Sequence, residues 1–355
     1  MPASVLIVHL ISSGELAGAE TVALNLTRSI MSNAEVIILA PPGHLQDICS
    51  DEGIRYLPIC ISSIFKIFHL LIWRRPNIIH CHDFRASIKG SIFSLLGISI
   101  ISHIHQNPPW MKSINLLSLA YCAVCPLFFR IVVVSQAIAE EGWVFRVFNG
   151  KLNVLPNFIS LKTVLSLASC SQLRCSRPEY DVCFLGRLSS EKDPLRALDI
   201  VKSLFASGNT FKCLFIGDGP LRNQCQNFVD RNGLADYVEL IGFLRDPFPE
   251  LNCCKILLVT SEYEGFSLAS LEAMALGIPV VAHSVGGLRT IIDSSCGFLF
   301  THNKAAEVEL LRLLSERQYY TAKSQASLKR SLEYDQSRVN LSSLYGVVDF
   351  VGSPQ

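Results

Sequence analysis

The sequence predicts an α/β chain built from two doubly wound parallel sheets. Three observations point there. Short continuous apolar runs alternate with amphipathic segments, the pattern of parallel strands covered on both faces by helices. The runs fall into two sets, separated by a stretch rich in Ser, Cys and Arg between Pro156 and Tyr180. A chain of 355 residues is also more than one core comfortably fills.

The first set of strand-like runs is Val5–Leu10, Val36–Leu39, Asn77–Cys81, Ile98–His105 and Ile131–Val134. The second is Val182–Leu185, Lys212–Ile216, Val238–Ile241, Ile256–Val259 and Pro279–Ala282. The expected division is residues 1–165, then 166–334, then a final helix over 335–355; the stretch Ser331–Val351 is amphipathic, with Leu332, Val339, Leu341, Leu344, Val347 and Val348 free to dock on a neighbouring surface. No repeat or low-complexity tract interrupts it.

Composition narrows the class. A formal charge of +1 leaves no basic field for nucleic acid. Val5–Leu10 is too short for a signal-peptide core, so the expectation is a cytoplasmic protein. Ile59–Trp73 and Ile114–Val134 are oily, but the second holds Arg130 and ends in a β-branched run. A helix followed by a buried strand fits it better than a membrane span, with contact at a bilayer surface still open. Thirteen cysteines, an odd number scattered among core-like strands, are expected to be reduced, and Cys122-Ala-Val-Cys125 reads as buried small hydrophobes.

Val182-Cys-Phe-Leu-Gly186-Arg187 runs from a strand into a glycine turn and a basic loop, and Asp193-Pro194 then starts a helix. Arg187 and Lys192 would sit at the carboxyl end of a parallel strand, where open α/β sheets bind ligands. A guanidinium fork beside a mobile ammonium suits a diphosphate. Phe215-Ile-Gly217-Asp-Gly219-Pro is a second strand-to-helix turn, expected to let the backbone approach a base or ribose; it lacks the third glycine of a dinucleotide fingerprint.

Glu264-Gly265-Phe266-Ser267 leads into a helix carrying Glu272, with Ser267 as its N-cap. Its first N–H groups would face a phosphate. Glu264 is expected to accept hydrogen bonds from sugar hydroxyls and Glu272 from a ribose.

In the first half, Gly14 and Gly18 follow a strand and allow close backbone approach to a ligand. His80 and His82 end one strand, His103 and His105 another, with His105 nearer its carboxyl end. No carboxylate completes a metal cage there, so no metal is expected; a neutral imidazole donating to a substrate oxygen suits the place better.

Taken together, the Gly186–Asp193 loop, the Glu264–Glu272 stretch with Ala-Met-Ala-Leu-Gly-Ile-Pro-Val, and Val285-Gly-Gly-Leu closely resemble retaining glycosyltransferases of family 4. Ala17-Gly18-Ala-Glu20, Val134-Ser135 and Leu155-Pro-Asn157 extend the likeness over nearly the whole chain. The resemblance implies the GT-B fold: two Rossmann-like domains facing across a cleft, acceptor in the first and nucleotide-sugar donor in the second, with the final helix crossing back. Arg187 and Lys192 would then neutralise the departing diphosphate, and Glu264 and Glu272 would hold sugar and ribose. Gly186, Gly217, Gly219, Gly265, Phe266 and Ser267 would line the donor. His105, with His103 as competitor, would stand near the reacting sugar. Gly14 or Gly18 would touch the phosphates.

No metal or other cofactor is implied beyond the donor itself, a UDP- or GDP-sugar. One departure stands out: Thr290 occupies the place where the family often has a glutamate. The resulting expectation is a hexosyltransferase of bacterial surface polysaccharide synthesis acting on a glycan or polyprenyl-diphosphate-linked acceptor, with peripheral membrane contact. An epimerase of the same fold or a non-catalytic nucleotide-sugar-binding subunit are the alternatives; the missing fingerprint disfavours a nicotinamide-dependent oxidoreductase.

Overall fold

The structure, a computed structural model, describes residues 5–59, 64–169 and 180–346. It resolves into two units: Met1–Phe158 with Arg338–Gln355, and Ile159–Ser337.

Unit 1 is a seven-stranded sheet of β1 (Leu6–Ile11), β2 (Glu35–Ala40), β3 (Arg55–Pro58), β4 (Ile78–His82), β5 (Ser99–Ile104), β6 (Arg130–Val133) and β7 (Leu152–Val154), ordered β3-β2-β1-β4-β5-β6-β7. Unit 2 has six: β8 (Tyr180–Leu185), β9 (Cys213–Ile216), β10 (Val238–Gly242), β11 (Cys254–Val259), β12 (Val280–His283) and β13 (Gly297–Phe300), ordered β10-β9-β8-β11-β12-β13. Every pairing is parallel. All ten expected runs are strands. The three additional ones, β3, β7 and β13, are all sheet edges. Edge strands are short and half-covered, so β3 (Arg-Tyr-Leu-Pro) and β7 (Leu-Asn-Val) lack the continuous apolar run that betrays a central strand.

The winding order fixes where a site can form. In unit 2 the order reverses between β8 and β11, and in unit 1 between β1 and β4; at such a point the loops after the two strands part and leave a crevice. Helix Pro194–Ala206 fixes the loop after β8. It begins at Asp193, whose carboxylate accepts from the Arg196 amide (3.2 Å), and buries Leu198, Val201 and Leu204 against Phe184, Phe215 and Ile256.

Several details depart from the sequence reading. The division placed at 165/166 falls inside a helix, Leu161–Ser169, which belongs to unit 2; residues 170–179 of the expected connection lie outside the described residues. After helix Arg317–Ser331 the chain makes two 3-10 turns and one short helix, Ser342–Tyr345, in place of one long amphipathic helix. Arg338 onward groups with unit 1, where Tyr345 is fully buried; Val347 and Val348 lie outside the described residues. Ile114–Val134 divides into helix Leu116–Val124 and β6, and no helix among the described residues is long and apolar enough to cross a membrane. Cys122 and Cys125 are free thiols, but Cys253 is disulfide-bonded. Scatter along a sequence does not tell which thiols meet in space.

Candidate active site

The loops after β8 and β9 are stitched together by backbone. The Gly186 amide donates to Ile216 O (3.0 Å), Leu188 to Asp218 O (2.9 Å) and Leu221 to Leu188 O (2.9 Å). A Cβ on Gly217 would lie 2.0 Å from the Gly186 carbonyl oxygen. Gly217 and Gly219 therefore seat one loop against the other, a packing role that the reading of them as ligand contacts did not contain. Above this platform Arg187 is exposed, with no ion pair among the described residues.

The loops after β8 and β11 are latched across the switch point. The Thr260 hydroxyl lies 2.7 Å from Asp193 O and 3.0 Å from Lys192 O, and the Glu262 amide donates to Glu191 O (2.9 Å). The Lys192 ammonium pairs with the Glu264 carboxylate, which also accepts from Ser261 Oγ (3.2 Å). The cation and the first glutamate, far apart in sequence, thus form one unit.

Glu264 is held from behind. The Gly287 amide donates to Glu264 O (3.0 Å), and a Cβ on Gly286 would stand 1.9 Å from that same oxygen. This explains the Gly-Gly pair in physical terms. Gly265 meets Gly287 in the same way, and Phe266 is buried, edge-on to Tyr334 at 5.4 Å. Ser267, at φ +75°, caps helix Leu268–Ala275 by accepting from the Ser270 amide (3.3 Å). The remaining N–H groups of that first turn have no partner within the helix. Thr290 gives its carbonyl to Arg330 (2.6 Å), so the backbone at this departure from the pattern is tied to helix Arg317–Ser331.

Glu272 differs from Glu264. It is half-buried and has no hydrogen-bond partner among the described residues, and burial pushes its carboxyl up to about 7. A carboxylate in such a place is stabilised only when a ligand brings donors to it.

In unit 1, Gly14 sits against the Pro41 carbonyl, where a Cβ would lie 2.2 Å from the oxygen, whereas Gly18 opens helix Gly18–Ile30 with free space around it. Ser12 Oγ donates to Asp83 (3.1 Å), joining the loops after β1 and β4. Parallel register then stacks the histidines: His9 beside His80, and His82 beside His103. Two hydrogen-bonded chains result. One runs Tyr345–His80–His103 (both contacts 3.1 Å), the other His9–His82–His105 (2.8 and 3.0 Å).

Burial pushes His9 and His105 down to about 3, and it holds His80, His82 and His103 well below the ordinary range, helped by their mutual repulsion. All five are neutral, each with one donor and one acceptor nitrogen. His105 is 9% exposed where the other four are at 0%, so it is the member a ligand would meet. Its Nδ1 and the Nε2 atoms of His9 and His103 are buried without a partner. One ring nitrogen from each of His82, His103 and His105 lies within 4.8 Å of the other two, and the same holds for one from each of His9, His80 and His82. The sequence reading missed His9, although a histidine inside a continuous apolar strand is a signal in itself.

Known proteins show the same architecture. The family described as "Glycosyl transferases group 1" matches residues 172–330, and "Glycosyltransferase Family 4" matches 16–163. The O-antigen biosynthesis glycosyltransferase WclY of Escherichia coli is 23% identical over 304 residues, covering 82% of this chain and 83% of its own. The UDP-Gal:alpha-D-GlcNAc-diphosphoundecaprenol alpha-1,3-galactosyltransferase of Escherichia coli is 24% identical over 264 residues, 68% of this chain and 67% of its own. Among solved structures, Anabaena HepE in complex with UDP-glucose superposes with a TM-score of 0.77 at 17% identity, over 93% of this chain and 95% of that one.

Proposed function

We propose that this chain, a GT-B glycosyltransferase of the group 1 type, moves a hexose from a nucleotide diphosphate to a glycan or lipid-linked acceptor with retention of configuration. The observation that carries the reading is the latch at the unit 2 switch point, where Lys192, Glu264 and the first turn of helix Leu268–Ala275 come from adjoining loops. Arg187, Lys192 and that helix N-terminus neutralise the diphosphate as it leaves, doing the work that a divalent ion does elsewhere. Glu264 holds the sugar hydroxyls, Glu272 takes the ribose hydroxyls, and neutral His105 donates an N–H to the sugar. Uridine is the favoured base, because HepE is solved with UDP-glucose and the galactosyltransferase relative is named for UDP-Gal. That relative's name also supports a polyprenyl-diphosphate-linked acceptor, and WclY's name supports surface polysaccharide synthesis. Such an acceptor would be met on the cytoplasmic side, with peripheral membrane contact.

The test is product analysis with UDP-glucose, UDP-galactose and GDP-mannose, each with and without a short-chain prenyl-diphosphate-linked sugar. An α-linked product from an α-linked donor is expected, at the same rate in EDTA as without it. A β-linked product overturns retention, and a rate lost in EDTA and restored by Zn²⁺ overturns the metal-free reading. An epimerised nucleotide sugar formed from donor alone would favour the epimerase.

Glu272 adds a pH dependence. Its carboxyl is raised to about 7 in the free protein, so below that pH it is protonated and binds ribose hydroxyls less well. Donor KM is expected to rise roughly 3- to 10-fold from pH 8 to pH 6, and Glu272→Gln should be weaker throughout but flat across that range. A profile of the same steepness in the variant would remove Glu272 from the donor site.

A further inference from the structure

Helix Leu116–Val124 is inside out. Its buried positions are Ser118 and Tyr121, fixed by the capping box at Asn115 and by a 2.7 Å hydrogen bond between the Tyr121 and Ser102 hydroxyls. Its leucines face the other way: Leu116 is 87% exposed and Leu117 59%. A helix in a water-soluble surface position normally presents the reverse pattern. The exposure does not stop at this helix. The 3-10 helix Ser91–Leu96 leaves Ile92 and Leu95 uncovered, and Leu127 is exposed at the end of the turn Cys125–Leu127. That turn packs against both helices, and helix Phe84–Gly90 packs against both as well, so the exposed groups belong to one face of unit 1. Contiguous apolar patches of this kind mark an interaction surface.

Charge selects the occupant. Between Glu52 and Glu140 the chain carries eight Lys or Arg and a single acidic residue, Asp83, which is half-buried and spent on capping helix Phe84–Gly90; Arg55 and Lys112 pair with Glu35 and Glu141 outside that stretch. Exposed Arg85 and Lys89 lie on that same supporting helix. Apolar side chains set in a basic field match an anionic bilayer, where the leucines enter the acyl boundary and the cations meet the headgroups. Two copies of this face would instead oppose positive to positive.

We infer that this face of unit 1, formed by Ser91–Leu96, Leu116–Val124 and Cys125–Leu127, seats the protein on an anionic phospholipid surface. Its purpose rests on the lipid-linked acceptor reading: docking here holds the acceptor-binding unit at the plane where such an acceptor's sugar emerges.

The full-length protein is mixed with vesicles of phosphatidylcholine alone or phosphatidylcholine with phosphatidylglycerol, and the bound fraction is read by co-sedimentation. Binding is expected to the anionic vesicles, weakened by salt, and to fall at least ~10-fold in the double variant Leu116→Ser/Leu117→Ser and several-fold in Lys89→Glu. Both sites are exposed, so unchanged circular dichroism is expected alongside. Equal sedimentation with both vesicle types, or undiminished binding by the double variant, overturns the inference. Self-association in sedimentation equilibrium that the same double variant abolishes would assign the face to a second copy instead. Vesicle binding is read without any sugar nucleotide, so it stands or falls separately from the transferase reading. Transfer to a water-soluble acceptor should be unchanged in the double variant.

Discussion

Lys192→Ala is expected to lower kcat by about two to three orders of magnitude, the usual loss when one group that stabilises developing charge is removed. The fold should survive the change at a moderate cost. The Lys192 side chain is 25% exposed and that of Glu264 only 9%, so the variant leaves a buried carboxylate with its bond from Ser261 alone. A loss of about 1–3 kcal/mol is expected, the range for a buried polar group that loses one partner, read as a lowered thermal midpoint. Arg187 and the helix N-terminus would then carry the diphosphate between them. A fork without the ammonium still orients the ligand, so donor KM should rise less than kcat falls. Near-normal turnover in the variant would sink the assignment of Lys192 to the leaving group, whatever the fate of the fold.

Gly286→Ala is expected to damage stability and activity together. Its Cβ would stand 1.9 Å from Glu264 O, and the residue sits at φ +45°. Backbone must move, at a cost of ~2–4 kcal/mol. The atom that moves belongs to Glu264, so the folded fraction should also lose roughly 100-fold in turnover, the scale of a ~1 Å misplacement. Gly208→Ala is the control. It too has positive φ, +86°, but nothing lies within 4 Å of its Cβ. That variant should cost about 1 kcal/mol and leave turnover alone. Equal activities per folded molecule in the two variants would show that Gly286 matters only for folding.

The central strands and the loops after them were legible because buried parallel strands announce themselves as unbroken apolar runs. The edge strands β3 and β7 lack such a run and stayed hidden for that reason; β13, Gly-Phe-Leu-Phe, is a short apolar run that was passed over. At the site, residue types and positions could be read, but their pairing could not. Nothing local says that Lys192 reaches Glu264, or that Gly286 is pressed on the carbonyl behind it. Such contacts join loops of different strands, and only the winding order decides which loops meet. The partners of His9 were hidden for a related reason: its neighbours His80 and His82 are supplied by a strand about seventy residues away. The helix at Leu116–Val124 was legible as a helix, but which of its faces is covered was not, since only the packing shows its leucines exposed.

The return of the chain to unit 1 at Arg338 bears on how the protein is made. Unit 2 is one uninterrupted segment and can close as soon as its last strand and helix have left the ribosome. Unit 1 begins first yet waits for a buried piece from near the other end, since Tyr345 completes the His80 chain across 265 residues. The order of completion is therefore the reverse of the order of emergence.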